Sequence, residues 1–305
     1  MFGYLARRLV DLCAAVLGVS TIAFLALRLS GDPVALLVTE YATEAEIARV
    51  RALLGLDQPL WVQYGRFLSD VLRGEFGESL RFIKPAATLV WETLPATMTL
   101  AVAAVAIATA VAVPLGILAA VRRGTVLDGA ATILATVGQS MPYFWLGILL
   151  ILVFAVHLRV LPPFGSGTWR HLILPAVTLS MTPLARTMRL VRSGMVEVLG
   201  QDYIRTAWAK GLGPRRVLFR HALQNAAIPV VTILGLDFGT LLGGAVVTET
   251  IFAWPGVGRL IVQAIQSRDY PVVQAAVFYL ALVFVLINLL VDVIYAHLDP
   301  RIKYQ

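Results

Sequence analysis

The chain has 305 residues, of which 59% are hydrophobic and only 14% are charged, with a net charge of +7. Soluble domains carry about 25% charged residues, so this composition excludes an ordinary soluble fold and indicates an all-α integral membrane protein. The positive charge therefore does not indicate a nucleic-acid partner. Cys13 is the single cysteine, which excludes an intramolecular disulfide, and no Cys/His spacing predicts a metal site.

Six stretches are long and apolar enough to be predicted as transmembrane helices. The N-terminal stretch is longer than a signal-peptide core and lacks a cleavage pattern, so we interpret it as an uncleaved first span. Prolines lie in or beside several of the stretches, which favours a packed bundle. In chain order, the predicted spans are residues 9–29, a part of 93–121, a part of 129–156, a stretch from about 172 into a basic tail, 226–248 and 273–295.

Basic residues predict the orientation of these spans. Fourteen Lys and Arg residues lie in the short segments on one side of the predicted membrane, including both termini, and four lie in the short loops on the other. Because Lys and Arg concentrate in cytoplasmic loops, both termini are predicted to be cytoplasmic. The segment from residue 30 to 92 is then outside. It includes a capping-box pattern at Thr43 and Glu46, and Gly55 is a plausible helix stop.

A basic segment, "RTAWAKGLGPRRVLFRHAL", lies between the fourth and fifth spans. Gly211 is expected to stop one helix, and Pro214 is tolerated in the first turn of the next. Helical spacing places Tyr203, Ala207 and Lys210 on one face. Ile204 and Trp208 are expected to anchor the other face to the bundle. The segment has two interpretations: a basic loop that fixes topology and contacts anionic lipid, or a rigid docking site for a partner.

The sequence "DYIRTAWAKGLGPRRVLFRHALQNAAIP" resembles the cytoplasmic signature of permeases of binding-protein-dependent ABC importers, in the dipeptide, oligopeptide and nickel branch. "LRLSGDP" and "ETIFAWPGVGRLIVQAIQSRDYP" agree with it, so the resemblance covers nearly the whole chain. It implies the type I importer permease architecture. It also implies that a coupling helix at about 201–223 docks on an ATPase subunit. The expected coupling residues are Asp202, Tyr203, Arg205, Thr206, Ala207, Lys210, Gly211 and Leu212.

The resemblance also implies a division of the chain. A first span with an extracytoplasmic segment covers residues 1–93, a five-helix permease core covers 94–296, and a cytoplasmic tail covers 297–305. The outer loop after the fifth span is expected to contribute to an outer gate and to docking of a binding protein. The residues expected there are Phe252, Trp254, Pro255, Gly256 and Gly258.

The fifth predicted span has small residues at Gly235, Gly239 and Gly243, a spacing that lets helices pack closely. They serve either packing within the bundle or contact with a second permease chain. Asp237 lies near the middle of the same span, where ionisable residues are costly. It is either a protonated or paired structural residue, or a pathway residue that contacts a cationic group of the substrate.

The expected function is that of a transport subunit and not of an enzyme, with no catalytic residues. The sequence contains no G-x-x-x-x-G-K-[ST] phosphate loop. ATP and Mg are therefore expected on partner chains, and no cofactor on this one. The resemblance implies a second homologous permease, one or two ATPase chains and an extracytoplasmic substrate-binding protein, in a bacterial or archaeal cytoplasmic membrane with lipid around it.

Peptides are the expected substrates, with glutathione, nickel chelates or another small solute as alternatives from the same family branch. Two other classes of protein are less favoured. A self-contained secondary transporter commonly shows internal repeats, and none is visible. A membrane-embedded enzyme needs clustered His, Asp, Glu or Ser side chains at membrane depth, and the sequence has no such cluster.

Overall fold

A computed structural model describes residues 14, 16–26, 34, 42–53 and 55–298, without the side chains of residues 53, 228, 231, 232 and 292–298. Within these residues the regular elements are helices, apart from an isolated antiparallel bridge between Glu78 and Pro85. The helices are α1 (Val16–Ala26), α2 (Glu44–Leu53), α3 (Leu60–Arg73), α4 (Ala86–Val121), α5 (Val126–Ser140), α6 (Tyr143–His157), α7 (Trp169–Leu199), α8 (Asp202–Ala209), α9 (residues 214–226), α10 (Ile228–Ile251), α11 (Val257–Gln266) and α12 (Tyr270–Leu298).

Among the described residues, three helices are long and apolar enough to cross a membrane: α4, α10 over Ile233–Ile251, and α12 over Tyr270–Val291. The pair α5 and α6 makes a fourth if its two bent halves count as one span. Helix α7 is long enough but falls outside this set by composition. The number of six spans therefore stays a prediction. The two termini, the tail at 299–305 and the ends of the first predicted span lie outside the described residues.

The third predicted span is not one straight helix. Helix α5 ends at Ser140, α6 begins at Tyr143, and the two axes are bent by 106°. Met141 is extended, with φ −81° and ψ 127°, and Pro142 follows it. A residue before proline is pushed out of the helical region, and proline has no N–H to continue the helix. Pro142 thus breaks this stretch, whereas α7 continues through Pro175 and Pro183.

The chain divides into two compact units, residues 1–96 with 255–285 and residues 97–254 with 286–305. The first unit contains the predicted capping box of α2. The backbone N–H of Thr43 donates to Glu46 Oε2 at 2.8 Å, and the Glu46 N–H donates to Thr43 Oγ1 at 3.3 Å. The Thr43 N–H bond above all, and then the bond from Thr43 Oγ1 to the same Oε2 at 2.9 Å, lower the pKa of the Glu46 carboxyl. Gly55 has φ +65° and closes the C-terminal turn, as predicted.

The second unit is organised around α7, which contacts α5, α6, α9 and α10. Its buried face carries Leu179, Ala185, Met188 and Val191. Helix α4 approaches it closely at Gly116, where the Cβ of any larger residue would lie 2.8 Å from the carbonyl oxygen of Met188. Helices α8 and α9 connect α7, the central helix of the unit, to α10 along the chain.

Candidate functional site

The basic segment folds into two helices joined by a sharp turn. Helix α8 ends at Ala209, and Gly211 takes the left-handed conformation with φ +77°. The Gly211 N–H donates to the Trp208 carbonyl at 2.9 Å, and the Leu212 N–H donates to the Ala207 carbonyl at 3.3 Å. These are the two bonds of a Schellman motif. Pro214 then opens α9, so both the predicted stop and the predicted start are confirmed.

One face of α8 is packed against the bundle. Ile204 is fully buried and Ala207 is 6% exposed. Both lie in an apolar cluster formed with side chains of α4, α7, α9 and α10, and we call this cluster the coupling core. Its buried members are Ile117, Ala120, Val191, Met195, Ile204, Ala207, Val217, Ala222, Ala226 and Val230. The coupling core fixes α8 to the helices on both sides of it in the sequence.

The predicted faces of α8 are partly wrong. Ile204 anchors the helix as expected, but Ala207 lies beside it in the coupling core. Trp208, the other predicted anchor, is 43% exposed. The physical reason is the direction in which the helix packs: it falls between Ile204 and Ala207, and Trp208 lies about 100° from Ala207 around the helix.

The opposite face of α8 is open. The remaining predicted coupling residues of this helix are exposed, and Leu212 is half-buried. Their contacts are local. Arg205 Nη1 donates to Asp202 Oδ1 at 3.3 Å, and Thr206 Oγ1 donates to the Asp202 carbonyl at 3.0 Å. Tyr203 Oη accepts from Asn225 Nδ2 of α9. We call this surface the exposed face of α8; it consists of Asp202, Tyr203, Arg205, Thr206 and Lys210.

Three arginines of α7 each bind a polar residue of a neighbouring helix. Arg192 binds Asp128 of α5 through two hydrogen bonds, from Nε to Oδ1 at 2.5 Å and from Nη2 to Oδ2 at 2.8 Å. The backbone N–H of Gly124 also donates to Asp128 Oδ2. Arg189 donates to Gln139 Oε1, and Arg186 donates to Asp237 Oδ1. The arginines thus connect α5, α7 and α10.

This series of arginine contacts was not predicted, and Arg186, counted above with the basic residues of a cytoplasmic segment, instead binds Asp237 inside an apolar stretch. The sequence does carry a signal for it, because Arg186, Arg189 and Arg192 are spaced three residues apart. Their partners Asp128 and Asp237 lie in stretches that are otherwise apolar. Another buried polar pair, also missed, joins Thr97 Oγ1 to Glu249 Oε1 at 2.7 Å. The partners become evident only when the helices are placed side by side.

The small residues of α10 do not form one uniform surface. A Cβ added at Gly235 would lie 2.9 Å from Val291 Cβ of α12 and closer still to its γ carbons, so the two helices pack closely there. Gly239 is buried. Gly243 is exposed, and a Cβ added there would meet nothing within 4 Å. Gly235 thus serves packing within the chain, while contact of Gly243 with a second chain stays a prediction.

Asp237 is 2% exposed and lies within the apolar part of α10, Ile233–Ile251. Its Oδ1 accepts from Arg186, whereas its buried Oδ2 has no hydrogen-bond partner among the described residues. The observed pair agrees with the interpretation of Asp237 as a paired residue. The side chain of Arg186 is 41% exposed, so Arg186 is the member of the pair that solvent or a ligand can reach.

The outer-loop residues are mostly buried. In the second unit, Phe252 packs on Gly147, where an added Cβ would lie 3.2 Å from its ring, and its carbonyl accepts from the Gly165 N–H. Trp254 is 7% exposed. In the first unit, Gly256 precedes α11, Gly258 is buried within it, and Pro255 is exposed. The loop is therefore a packed turn, and its predicted role in gating and docking stays a prediction.

Comparisons with known proteins agree with these features. Residues 112–304 match the family of binding-protein-dependent transport system inner membrane components, and residues 1–101 match its N-terminal region. The chain is 42% identical to the dipeptide transport system permease protein DppB of Alkalihalophilus pseudofirmus and 44% identical to the glutathione transport system permease protein GsiC of Salmonella paratyphi A. Both matches cover 100% of each chain.

A solved structure of the MetNI methionine ABC transporter in an inward-facing conformation has a chain with the same fold. That chain is 19% identical, with a TM-score of 0.58, and the match covers 69% of the present chain and 96% of the other. The expected importer permease fold is thereby confirmed. The chain is a membrane transport subunit and not itself an enzyme, and it belongs to the family of binding-protein-dependent transport system inner membrane components.

Proposed function

We propose that the chain forms half of the translocation pathway of an ATP-driven peptide importer and couples to a separate ATPase through the exposed face of α8. One observation carries the coupling role: α8 is anchored on one side by Ile204 and Ala207 and presents charged and polar side chains on the other. A helix held in this way transmits a push, whereas a mobile loop would absorb it.

The contacts in the coupling core would transmit a displacement of α8 to other helices. Ile204 and Ala207 contact the same cluster as Met195 of α7 and Val230 of α10. A displacement of α8 therefore moves the ends of both helices together. The arginine contacts extend the connection, because Arg192 ties α7 to Asp128 at the start of α5. ATP-driven closure of a partner would thus tilt three helices as one body, as alternating access requires.

The other subunits of the proposed importer are separate chains. A second homologous permease would supply the other half of the pathway, one or two ATPase subunits would bind ATP and Mg, and an extracytoplasmic binding protein would deliver the substrate. The chain itself binds no cofactor in this proposal. The complex would lie in the cytoplasmic membrane of a bacterium or archaeon. Support comes from the family description and from the absence of a phosphate loop in the sequence.

Two classes of substrate are supported by the relatives, dipeptides and glutathione. Glutathione is itself a small peptide, so both relatives agree on a short peptide with a terminal carboxylate. Dipeptides are the favoured substrate because the relatives named for dipeptide transport come from two different genera, Alkalihalophilus and Escherichia. Nickel chelates and other small solutes stay the alternatives from the same family branch.

ATP-driven uptake tests this proposal. The chain would be co-expressed with candidate permease, ATPase and binding-protein partners from the same organism, and the purified complex reconstituted in liposomes. We expect labelled dialanine to accumulate when ATP is on the ATPase side and to stop accumulating when ATP is replaced by a non-hydrolysable analogue. Accumulation of labelled glutathione alone would reassign the substrate. ATP-independent accumulation would contradict the proposed coupling.

A further inference from the structure

We propose that Arg186 is the residue of the translocation pathway that receives the carboxylate of the substrate, and that Asp237 holds it in position. This inference rests on the proposed transport of peptides. It goes beyond that function by assigning a contact with the moving substrate to one side chain of this chain.

The depth of Arg186 requires a polar neighbour. Its guanidinium binds Asp237, which is the fifth residue of the apolar stretch Ile233–Ile251, so the charged head lies about one helical turn inside the end of a membrane span. Ionisable residues within a span are costly and usually face the bundle interior, a water-filled cavity or a partner. The side chain is nevertheless 41% exposed in this chain. The exposed part must therefore face water, a substrate or another protein.

The geometry of the pair leaves most of the guanidinium available. Arg186 donates from Nη1 to one oxygen of Asp237, and it makes no other hydrogen bond within the described part of the chain. A guanidinium has five N–H donors in a planar fork that matches a carboxylate. Nε and Nη2 can therefore bind an anionic group while Nη1 stays on Asp237.

The pair of Arg192 and Asp128 differs from the pair of Arg186 and Asp237 in the arrangement of its hydrogen bonds. Arg192 uses both Nε and Nη2 on Asp128, and both carboxylate oxygens are occupied. We call this a closed pair, since both oxygens of the carboxylate are bonded and the pair joins α7 to α5. The Arg186 pair is open on the arginine side and leaves Oδ2 of Asp237 without a partner among the described residues. Both arginines lie on α7 and both of their partners are aspartates. The difference in hydrogen-bond geometry therefore indicates a difference in role.

A terminal carboxylate is the group that suits this site. It is common to dipeptides, longer peptides and glutathione, and it forms short charge-assisted hydrogen bonds with a guanidinium. Asp237 is then a positioning residue. Its negative charge offsets the cost of the cation at this depth and keeps the bound substrate from being held too tightly, because the net charge of the pair is zero. A site on a pathway must release what it binds.

Paired neutral variants test the assignment. In the reconstituted complex, uptake of labelled dialanine per mole of assembled complex is compared for Arg186→Gln and Asp237→Asn. We expect Arg186→Gln to lower it by about tenfold or more, the loss of a charge-assisted contact. We expect Asp237→Asn to lower it by about threefold or less, because the arginine remains. For Arg192→Gln and Asp128→Asn, the matched closed pair, we expect losses equal to each other.

Several outcomes would overturn the assignment. Equal losses for Arg186→Gln and Asp237→Asn would give this pair the same role as the closed pair of Arg192. A loss of assembled complex with normal uptake per complex would place Arg186 against another protein chain. An equal effect of Arg186→Gln on dialanine and on its C-terminal amide would exclude the carboxylate. Failure of the unmodified complex to take up peptide would instead overturn the proposed function.

Discussion

Replacing Gly235 with alanine is expected to lower the unfolding temperature of the purified chain by several degrees. The alanine Cβ would lie 2.9 Å from Val291 Cβ and closer still to the two γ carbons of that valine. Valine is branched at Cβ and has few alternative rotamers in a helix, so α10 and α12 would have to separate. Overpacking of this kind costs about 1–3 kcal/mol.

Gly243→Ala is the matched control on the same helix. A Cβ there meets nothing within 4 Å, and alanine is more favourable than glycine in a helix by about 1 kcal/mol. The unfolding temperature of this variant should be unchanged or raised. The measurement is a thermal melt in detergent followed by fluorescence or by loss of monodisperse protein. Equal melting of the two variants would contradict the close packing of α10 on α12.

The second large effect is expected at Arg205. Arg205→Glu should reduce the amount of ATPase that co-purifies with the chain by at least about tenfold, the range of an interface hot spot. The Arg205 side chain is 76% exposed, and within the described part of the chain it pairs with Asp202 of its own helix, at 3.3 Å. Such surface pairs contribute little to folding. The variant should therefore fold normally and lose only the partner.

The control for Arg205 is Arg215→Glu, which reverses another exposed arginine just beyond the Gly211 turn. Its ATPase recovery should stay near that of the unmodified chain. Ala207 is not a useful site for this test, because it lies in the coupling core and a bulky residue there would displace α8 itself. Equal recovery of the ATPase with Arg205→Glu and with the unmodified chain would contradict the assigned docking face.

The turn between α8 and α9 could be predicted from the sequence because its determinants are local. Gly211 permits the left-handed conformation that ends α8, and Pro214 fixes its own φ, whatever surrounds them. The faces of α8 could not be predicted in the same way. Helical spacing tells which residues share a side, but the side that packs depends on the cavity left by α7, α9 and α10. Ala207 lies in the coupling core with Ile204, and Trp208 is 43% exposed.

The same difference, between what neighbouring residues in the sequence determine and what the packing of helices determines, explains two further results. Pro142 breaks a predicted span, although Pro175 and Pro183 do not break α7. A proline removes a local hydrogen bond and restricts the residue before it, and whether the chain bends there depends also on the helices packed around it. The partner of Asp237 was equally inaccessible, since Arg186 lies 51 residues away. Hydropathy indicated that Asp237 needed a partner at that depth, but only the packing of α7 on α10 identifies it.

Site-specific photo-crosslinking tests the central claim most directly, namely that the exposed face of α8 contacts a separate ATPase. A benzoylphenylalanine replaces Thr206 in the full chain, and the assembled complex is irradiated. We expect a covalent product with the combined mass of this chain and an ATPase subunit, and no such product when Phe219 of α9 carries the probe. Absence of the product at Thr206, in a complex that still transports peptide, would contradict this assignment.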